Sequence, residues 1–179
     1  MIEVSREEAR RIAVRAQLLD GDVDGVEHAV ARLGSLQLDP ISTVAPAQHL
    51  VLWSRLGSTY DRGELGRLLA ERKLFEWKAF IWPADALPLI RGLMRRRSSR
   101  YARERWANTF LKESAGFRRY VLRELERRGP LLSRDLEDRS AGEWSKHRWY
   151  GSRRVGIMLD LLHRRGEIAI VGRQGGQRL

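Results

Sequence analysis

Apolar residues recur at helical spacing through most of the chain, in short segments bounded by capping residues and glycines. Ser5 and Glu8 form a capping-box pattern ahead of the first segment, and Gly34 ends the second. Four further helices are predicted, which begin at Pro46, Asp61, Pro83 and Arg100. In the first of these four, Leu50, Trp53 and Leu56 are expected to point inward. The first half of the chain is therefore predicted to be mostly helical.

Two segments interrupt this helical periodicity. Residues 35–41 alternate polar and apolar side chains around a proline, which favours an extended strand or a tight turn. Residues 74–82 are rich in aromatic side chains and alternate well enough for a single strand. The first half therefore combines its helices with small β elements.

After Ser114 the predicted elements follow a recognisable order. A helix stops at Gly129, a short helix covers residues 134–138, and a long helix covers residues 152–165. The two strands of a hairpin with a glycine-rich turn are then predicted over residues 167–171 and 177–179. This is the order of elements in a winged helix, which consists of a helix, a short helix, a longer helix and a two-stranded wing. The winged helix is a relative of the helix-turn-helix.

This order divides the chain into a helical domain, residues 1–113, and a winged-helix domain, residues 114–179. In a winged helix the longer helix normally enters the major groove of DNA, and the wing touches the flanking backbone. The candidate DNA contacts in these two elements are Arg153, Arg154, Arg173, Gln174 and Arg178. The alternative is that the module binds protein and that these arginines are merely solvated.

Basic residues are concentrated in the second half of the chain. The 179 residues include 34 Lys and Arg against 23 Asp and Glu, a net charge of +11. Residues 1–90 hold 11 basic and 13 acidic side chains and residues 91–179 hold 23 and 10, so the two halves carry −2 and +13. A cationic half on a folded protein favours a nucleic-acid partner, because Lys and Arg contacts to phosphates release counterions. The alternative is that a GC-rich genome enriches arginine throughout its proteins, in which case the charge indicates no partner.

Several kinds of chemistry have no support in the sequence. There is no Cys, which excludes disulfides, thiolate zinc sites and cysteine nucleophiles. No GxxxxGK[ST], GxGxxG, HExxH or GxSxG pattern occurs, and the four histidines are scattered, so no metal and no cofactor are expected. No apolar run reaches the ~20 residues of a membrane span. Charges at Arg6, Glu7 and Glu8 break any secretory signal, and a cytoplasmic protein is expected.

The extended segment carries a carboxamide and a carboxylate two residues apart, at Gln37 and Asp39. In a strand both side chains project to one side, with Leu38 on the opposite face. Such a pair, held between a glycine and a proline, could bind and activate a water molecule. The alternative is the ordinary solvent-facing side of a strand.

Three blocks of the chain, taken together, resemble one protein family. LGSLQLDPISTVAPAQHLVLWSRLG at residues 33–57 resembles the signature of the AlkZ/YcaQ-like DNA glycosylases. LFEWKAF at residues 74–80 is similar to the next block of that family, and GEIAIVGRQGGQRL at residues 166–179 is similar to its second winged helix. The resemblance covers essentially the whole chain.

The resemblance implies both a fold and an activity. It implies a mainly α fold with small β elements, arranged as tandem winged helices. Family members remove alkylated purines, including N7-alkylguanines, from double-stranded DNA, and some unhook interstrand crosslinks. Their Gln–apolar–Gln or Gln–apolar–Asp triplet maps onto Gln37, Leu38 and Asp39. The implied activity is that of a monofunctional DNA glycosylase in DNA repair, in which Asp39 activates a water and stabilises the oxocarbenium-like sugar, while Gln37 orients the water or the lesion.

The chain departs from the family pattern in two places. Residues 46–49 read Pro-Ala-Gln-His where members often have Arg-Ala-His-His, and residues 77–81 stand where many members have a Tyr-Trp-Ala-His-Glu-like run. Typical members also continue into a third winged helix and a C-terminal β-barrel, so that a fragment or a shortened relative is expected.

Two other classes of function stay open. A non-enzymatic winged-helix DNA-binding protein, such as a transcriptional regulator, would bind undamaged DNA with sequence selectivity. A protein-interaction module would bind with an affinity that salt hardly changes. Stacking of Trp53, Trp77 or Trp82 on a lesion is a further hypothesis. For Trp53, a place in the core is expected instead, because it lies on an apolar helix face. The sequence carries no oligomer signal, and a nucleoid-associated monomer is expected.

Overall fold

The computed structural model describes residues 3–39, 41–96, 101–140 and 154–179. Over these residues the chain is mainly helical, with two small antiparallel sheets. The helices are α1 (Arg6–Ala16), α2 (Gly25–Leu33), α3 (Ala47–Leu56), α4 (Arg62–Ala70), α5 (Leu87–Arg95), α6 (Ala102–Glu113), α7 (Ala115–Arg128) and α8 (Arg154–Arg164). The strands are β1 (Leu36–Gln37), β2 (Leu74–Trp77), β3 (Phe80–Pro83), β4 (Arg173–Gln174) and β5 (Gln177–Arg178).

Local capping signals in the sequence place several helix ends correctly. The Ser5 hydroxyl accepts from the Glu8 backbone N–H at 3.2 Å, and the Glu8 carboxylate accepts from the Ser5 N–H at 2.8 Å, which confirms the capping box of α1. Asp61 caps α4 by accepting from the Gly63 N–H at 2.8 Å. Gly34 follows α2 with a φ of 79°, a left-handed conformation that a residue with a side chain adopts only at a cost.

Contacts divide the chain into two compact units, residues 1–87 and 88–179. This division falls earlier than the sequence-based boundary between residues 113 and 114. The reason is that α6 packs with the later helices, contributing Ala107, Phe110 and Leu111 to their core. Because no charged residue lies between positions 88 and 90, the two units carry the same −2 and +13 as the two halves of the sequence.

The first unit is built on a three-stranded sheet in the order β1-β3-β2. The central residue of this sheet is Ile81, which pairs with Leu36 on β1 and with Glu76 on β2. Ile81 and Leu36 belong to a core that also takes residues from three helices and from β2. These buried partners are Val26, Ala29, Val30, Leu52, Leu56, Leu65, Leu68 and Leu74.

The aromatic segment is a hairpin, and the prediction of one strand over residues 74–82 was wrong. The chain reverses between Trp77 and Phe80 through Lys78 and Ala79, whose φ values are 52° and 62°. Two positive φ values in succession define a type I′ turn, which Asn and Gly usually form. Neither residue here is of that kind, so the sequence carries no turn signal.

The inward face of α3 also differs from its prediction. Leu56 is buried, as predicted. Leu50 and Trp53 are exposed, Trp53 to 61%, and Leu52 is buried instead. The core interpretation of Trp53 was therefore wrong. Apolar residues occupy positions 50 to 53 without a break, so helical spacing alone does not choose the buried face.

The second unit packs α6, α7 and α8 around a core that includes Phe110, Phe117, Val121 and Met158. Between α7 and α8, the predicted short helix is a single 3₁₀ turn, Ser133–Asp135. The prediction of the first hairpin strand over residues 167–171 was wrong, because β4 lies at residues 173–174, inside the predicted turn. Backbone hydrogen bonds between Val171, Gly172 and Leu179 extend the pairing beyond β4 and β5. A two-residue turn of Gly175 and Gly176, with φ values of 55° and 79°, joins β4 and β5.

None of the described helices is long and apolar enough to span a membrane.

Candidate active site

Gln37 lies on β1, an edge strand whose neighbouring residues fix its orientation. Leu36 is buried and pairs with Ile81, and Leu38 packs against the same core. Gln37 pairs with Phe80, is exposed, and therefore projects from the other face of the sheet. The Leu38 N–H donates to the Ala79 carbonyl at 2.8 Å, which carries the strand pairing one residue beyond β1. The strand thus presents the Gln37 carboxamide to solvent on a rigid backbone.

Asp39 follows directly and is half-buried. Its Oδ1 accepts from the Ile41 N–H at 2.9 Å, which closes an Asx turn, and its own N–H donates to the Gln48 Oε1 at 3.3 Å. No hydrogen bond from a described residue reaches Oδ2. The carboxylate is thus held in place through one oxygen, and the other can face a water molecule.

Gln48 is a site residue that the sequence did not single out, except as a departure from the family pattern. It is the second residue of α3, and its side chain ties the start of this helix to the backbone of Asp39. The first backbone N–H groups of a helix carry partial positive charge. The start of α3 therefore favours a negative charge in its neighbourhood.

His49 adjoins this contact and is bound to the segment before α4. Its Nδ1 lies 2.6 Å from the Tyr60 hydroxyl. Burial lowers the pKa of His49 below its ordinary value of 6.5, and the charge of Arg62 lowers it further. Burial also raises the pKa of Tyr60. Both shifts favour a neutral pair at neutral pH, with the hydroxyl donating to the imidazole.

This pair predicts a loss of stability in acid. Because the pKa of His49 is lower in the folded protein, the unfolded chain binds the proton first as the pH falls through 6.5, and the free energy of unfolding decreases. In urea denaturation at pH about 7.5 and about 5.5, the wild type should lose more stability on acidification than His49→Gln. An equal loss in both proteins would contradict this assignment.

An aromatic row continues from Gln37 across the sheet. Phe80 and Trp82 lie 6.2 Å apart between ring centroids, Trp82 and Trp77 lie 6.4 Å apart, and the Trp82 Nε1–H donates to the Trp77 carbonyl at 3.2 Å. Lys78 Nζ lies 4.4 Å from the centre of the Trp77 ring. Trp77 is only 4% exposed, which leaves no face for a base, so the stacking hypothesis does not hold for it. For the half-buried Trp82, stacking stays a prediction.

The candidate DNA contacts on α8 differ from those on the wing. Arg153 lies outside the described residues. Arg154 is mostly buried, donates to the Ser140 hydroxyl at 2.6 Å and lies 3.6 Å from Asp138. Over residues 154–164, Gly156 alone is exposed. Arg164, the other arginine of the described α8, is partly exposed but pairs with Asp160 at 2.6 Å, so no fully exposed arginine lies on this part of the helix.

The β4–β5 hairpin, which the sequence predicts as the wing, presents all of its candidates to solvent. Arg173 and Arg178 are exposed and lie directly opposite each other on β4 and β5, next to the pair of Gln174 and Gln177. Arg173 donates to the Gly176 carbonyl at 3.2 Å, which orients its guanidinium along the turn. Like charges placed opposite each other on a hairpin destabilise it, and an anion between them relieves that cost.

Two cavities, of about 1040 and 530 Å³, lie in the second unit beside α8. Neither is lined by Gln37 or Asp39, so neither cavity encloses the candidate site. In the described part of the chain, no three His, Asp or Glu side chains are placed to hold a metal ion. The candidate active site lies at β1, the edge strand of the three-stranded sheet.

Most of the chain matches one protein family. The model of the AlkZ-like DNA glycosylases matches residues 30–179, which include β1, the Asx turn and the wing. The chain therefore belongs to the AlkZ-like DNA glycosylase family, and this membership implies a role in DNA repair and a DNA substrate. No solved structure matches the chain.

Proposed function

We propose that the chain hydrolyses the N-glycosidic bond of cationic N7-alkylated purines in duplex DNA, with Asp39 and Gln37 at the reacting centre. The observation that carries this proposal is the position of the Asp39 carboxylate. It is fixed by the Ile41 N–H on one oxygen and lies two residues after the exposed Gln37 at the end of β1. Membership of a DNA glycosylase family supplies the reaction class.

Such a substrate needs few catalytic groups. Alkylation at N7 places a positive charge on the purine, so the base leaves as a neutral molecule without being protonated. The bond between N9 and C1′ breaks, and its electron pair goes to the base. The protein must then stabilise the oxocarbenium-like sugar and supply a water molecule to C1′.

Asp39 supplies both effects in this proposal. Its carboxylate lowers the energy of the positive sugar and accepts a proton from the water as the new C1′–O bond forms. Gln37 orients the water or the lesion through its carboxamide, which does not change protonation state. The products are the free base and an abasic site with an unbroken strand. The same hydrolysis at one end of a crosslink through N7 would unhook it.

The order of elements supports a tandem winged-helix architecture. In the first unit, α2, β1, α3 and α4 precede the β2–β3 hairpin, and β1 pairs with β3. In the second, α7, the 3₁₀ turn and α8 precede the β4–β5 hairpin. We infer that residues 114–179 form a winged helix whose wing touches the DNA backbone. The net charge of +13 on the second unit favours this placement.

Replacing the two wing arginines should weaken the binding of all DNA sequences alike. The slope of log K against log salt is negative, and each lost phosphate contact makes it less steep. We expect the double variant Arg173→Ala/Arg178→Ala to reduce the magnitude of this slope by about 1 for each arginine that binds a phosphate. A salt titration of binding to an undamaged duplex measures this slope. The double variant Arg127→Ala/Arg128→Ala removes the same charge from α7, where both arginines pair with Glu124. A slope that changes equally in both variants would contradict a specific role for the wing.

The reaction itself is tested with a duplex that contains one N7-methylguanine. Chromatography of the supernatant should detect the free base, and gels should reveal strand breaks only after alkali treatment. A crosslinked duplex, run on a denaturing gel, tests unhooking in the same way. Sequence-selective binding to undamaged DNA with no base release would contradict the proposal and favour a regulator.

A further inference from the structure

Two large aliphatic side chains lie in water immediately beyond the candidate catalytic segment. Ile41 is 73% exposed and Val44 is 87% exposed. Both belong to the loop that joins Asp39 to α3, with Ser42 and Thr43 between them. Single exposed apolar residues are common on protein surfaces, so what distinguishes these two is their position next to Asp39 in the chain.

The structure fixes both ends of this loop. The Ile41 N–H donates to the Asp39 carboxylate at 2.9 Å, so the position of Ile41 follows that of the proposed catalytic group. At the other end, the Gln48 side chain accepts from the Asp39 N–H at 3.3 Å and draws the start of α3 toward the same point. The two aliphatic side chains are therefore carried on a short, tethered turn.

We propose that Ile41 and Val44 form an apolar wedge that inserts into the base stack next to the nucleotide whose glycosidic bond reaches Asp39. This inference rests on the proposed action at Asp39 on duplex DNA. Two residues span at most about 7 Å, and one base step rises about 3.4 Å. Ile41 thus lies within about two base steps of the carboxylate.

The chemistry of the loop fits a base stack. Enzymes that act on a base take it out of the duplex, and apolar side chains that enter between base steps offset the disrupted stacking. The loop has two aliphatic side chains and no charge from Ile41 to Val44, so it can enter between bases without leaving a charge desolvated.

The first experiment measures unstacking independently of the reaction. A duplex carries a tetrahydrofuran abasic analogue with 2-aminopurine as the adjacent base, whose fluorescence rises when it leaves the stack. The full chain should raise this fluorescence, and Ile41→Ser/Val44→Ser should abolish most of the rise while binding the duplex within about threefold, since phosphate contacts dominate affinity. The variant Ile41→Leu/Val44→Leu should retain the rise. Equal fluorescence with wild type and the serine variant would overturn the wedge.

The second experiment uses base release. The serine variant should release N7-methylguanine about tenfold more slowly than wild type from a duplex, and within about twofold of wild type from a single strand, where no stack needs opening. Leu89→Ser changes a residue on α5 that is 70% exposed and serves as the control. An equal loss on both substrates would overturn the wedge and indicate damage to the Asp39 turn. If the wild type releases no base, the proposed function fails and the fluorescence experiment alone decides on the wedge.

Ile41 and Val44 could instead contact a second copy of this chain in a dimer. Sedimentation of the wild type and of the serine variant distinguishes the two cases. A dimer that the serine substitutions dissociate would overturn the wedge, and a monomer in both proteins supports it.

Discussion

Asp39→Asn is expected to lower the rate of N7-methylguanine release by about 10²- to 10⁴-fold, the range for loss of a general base. The amide cannot accept the proton of the attacking water, and it offers no negative charge to the oxocarbenium-like sugar. The loss should appear under single-turnover conditions with saturating protein, because the step that slows is the breaking of the glycosidic bond rather than binding.

The substitution is well suited to the structure of the turn. Asparagine keeps an Oδ1 that can accept from the Ile41 N–H, so the Asx turn and the position of the loop should survive. We expect the variant to bind DNA and to unfold in urea as the wild type does. Asp85→Asn, which removes an exposed carboxylate from the same unit, should release the base at the wild-type rate. Wild-type release by Asp39→Asn would exclude the proposed role of this carboxylate.

Ile81→Ala should cost about 2–5 kcal/mol of unfolding free energy, the range for truncating a fully buried aliphatic side chain. Ile81 is inaccessible to solvent and lies on the central strand between Leu36 of β1 and Glu76 of β2. Its removal leaves a cavity under the strand that carries Gln37. The first unit should therefore unfold at a lower urea concentration.

The control for this prediction is Leu89→Ala. This side chain lies in water on α5, so its loss should change the unfolding free energy by no more than about 0.5 kcal/mol. Circular dichroism and Trp fluorescence, recorded through the same urea titration, measure the unfolding of the two variants and of the wild type. If Ile81→Ala and Leu89→Ala unfolded at the same midpoint, the central place of Ile81 in the core would be wrong.

The helix boundaries could be predicted because their causes are local. A cap such as Ser5 with Glu8, or Asp61 before Gly63, satisfies backbone groups within a few residues of itself, so the sequence contains the whole interaction. The buried face of α3 is different. Apolar residues run through positions 50 to 53, and only packing against the sheet selects Leu52 over Trp53.

The β2–β3 hairpin could not be predicted for a related reason. Its turn places Lys78 and Ala79 at positive φ without Gly or Asn. Left-handed backbone costs such residues roughly 1–2 kcal/mol each, and here the pairing on both sides of the turn offsets it. The cause of this turn is tertiary and leaves no mark on the local sequence.

The candidate site also has a part that the sequence predicted and a part that it did not. The alternation around Leu38 predicted that Gln37 and Leu38 face opposite sides, and the structure has this arrangement. The contact between Asp39 and Gln48 joins residues nine positions apart through a side chain, and no periodicity contains it. The exposure of Ile41 and Val44 likewise follows only from the placement of the loop outside the core.

The most direct test of this account compares the release of N7-methylguanine from one duplex with and without the wild-type chain. Because this base is also released spontaneously, the quantity measured is the ratio of the two first-order rates. We expect a ratio of at least about 10⁶, the lower end of the range of enzymatic acceleration, with an abasic strand left unbroken. A ratio of one, measured while the chain is bound to the DNA, would contradict it.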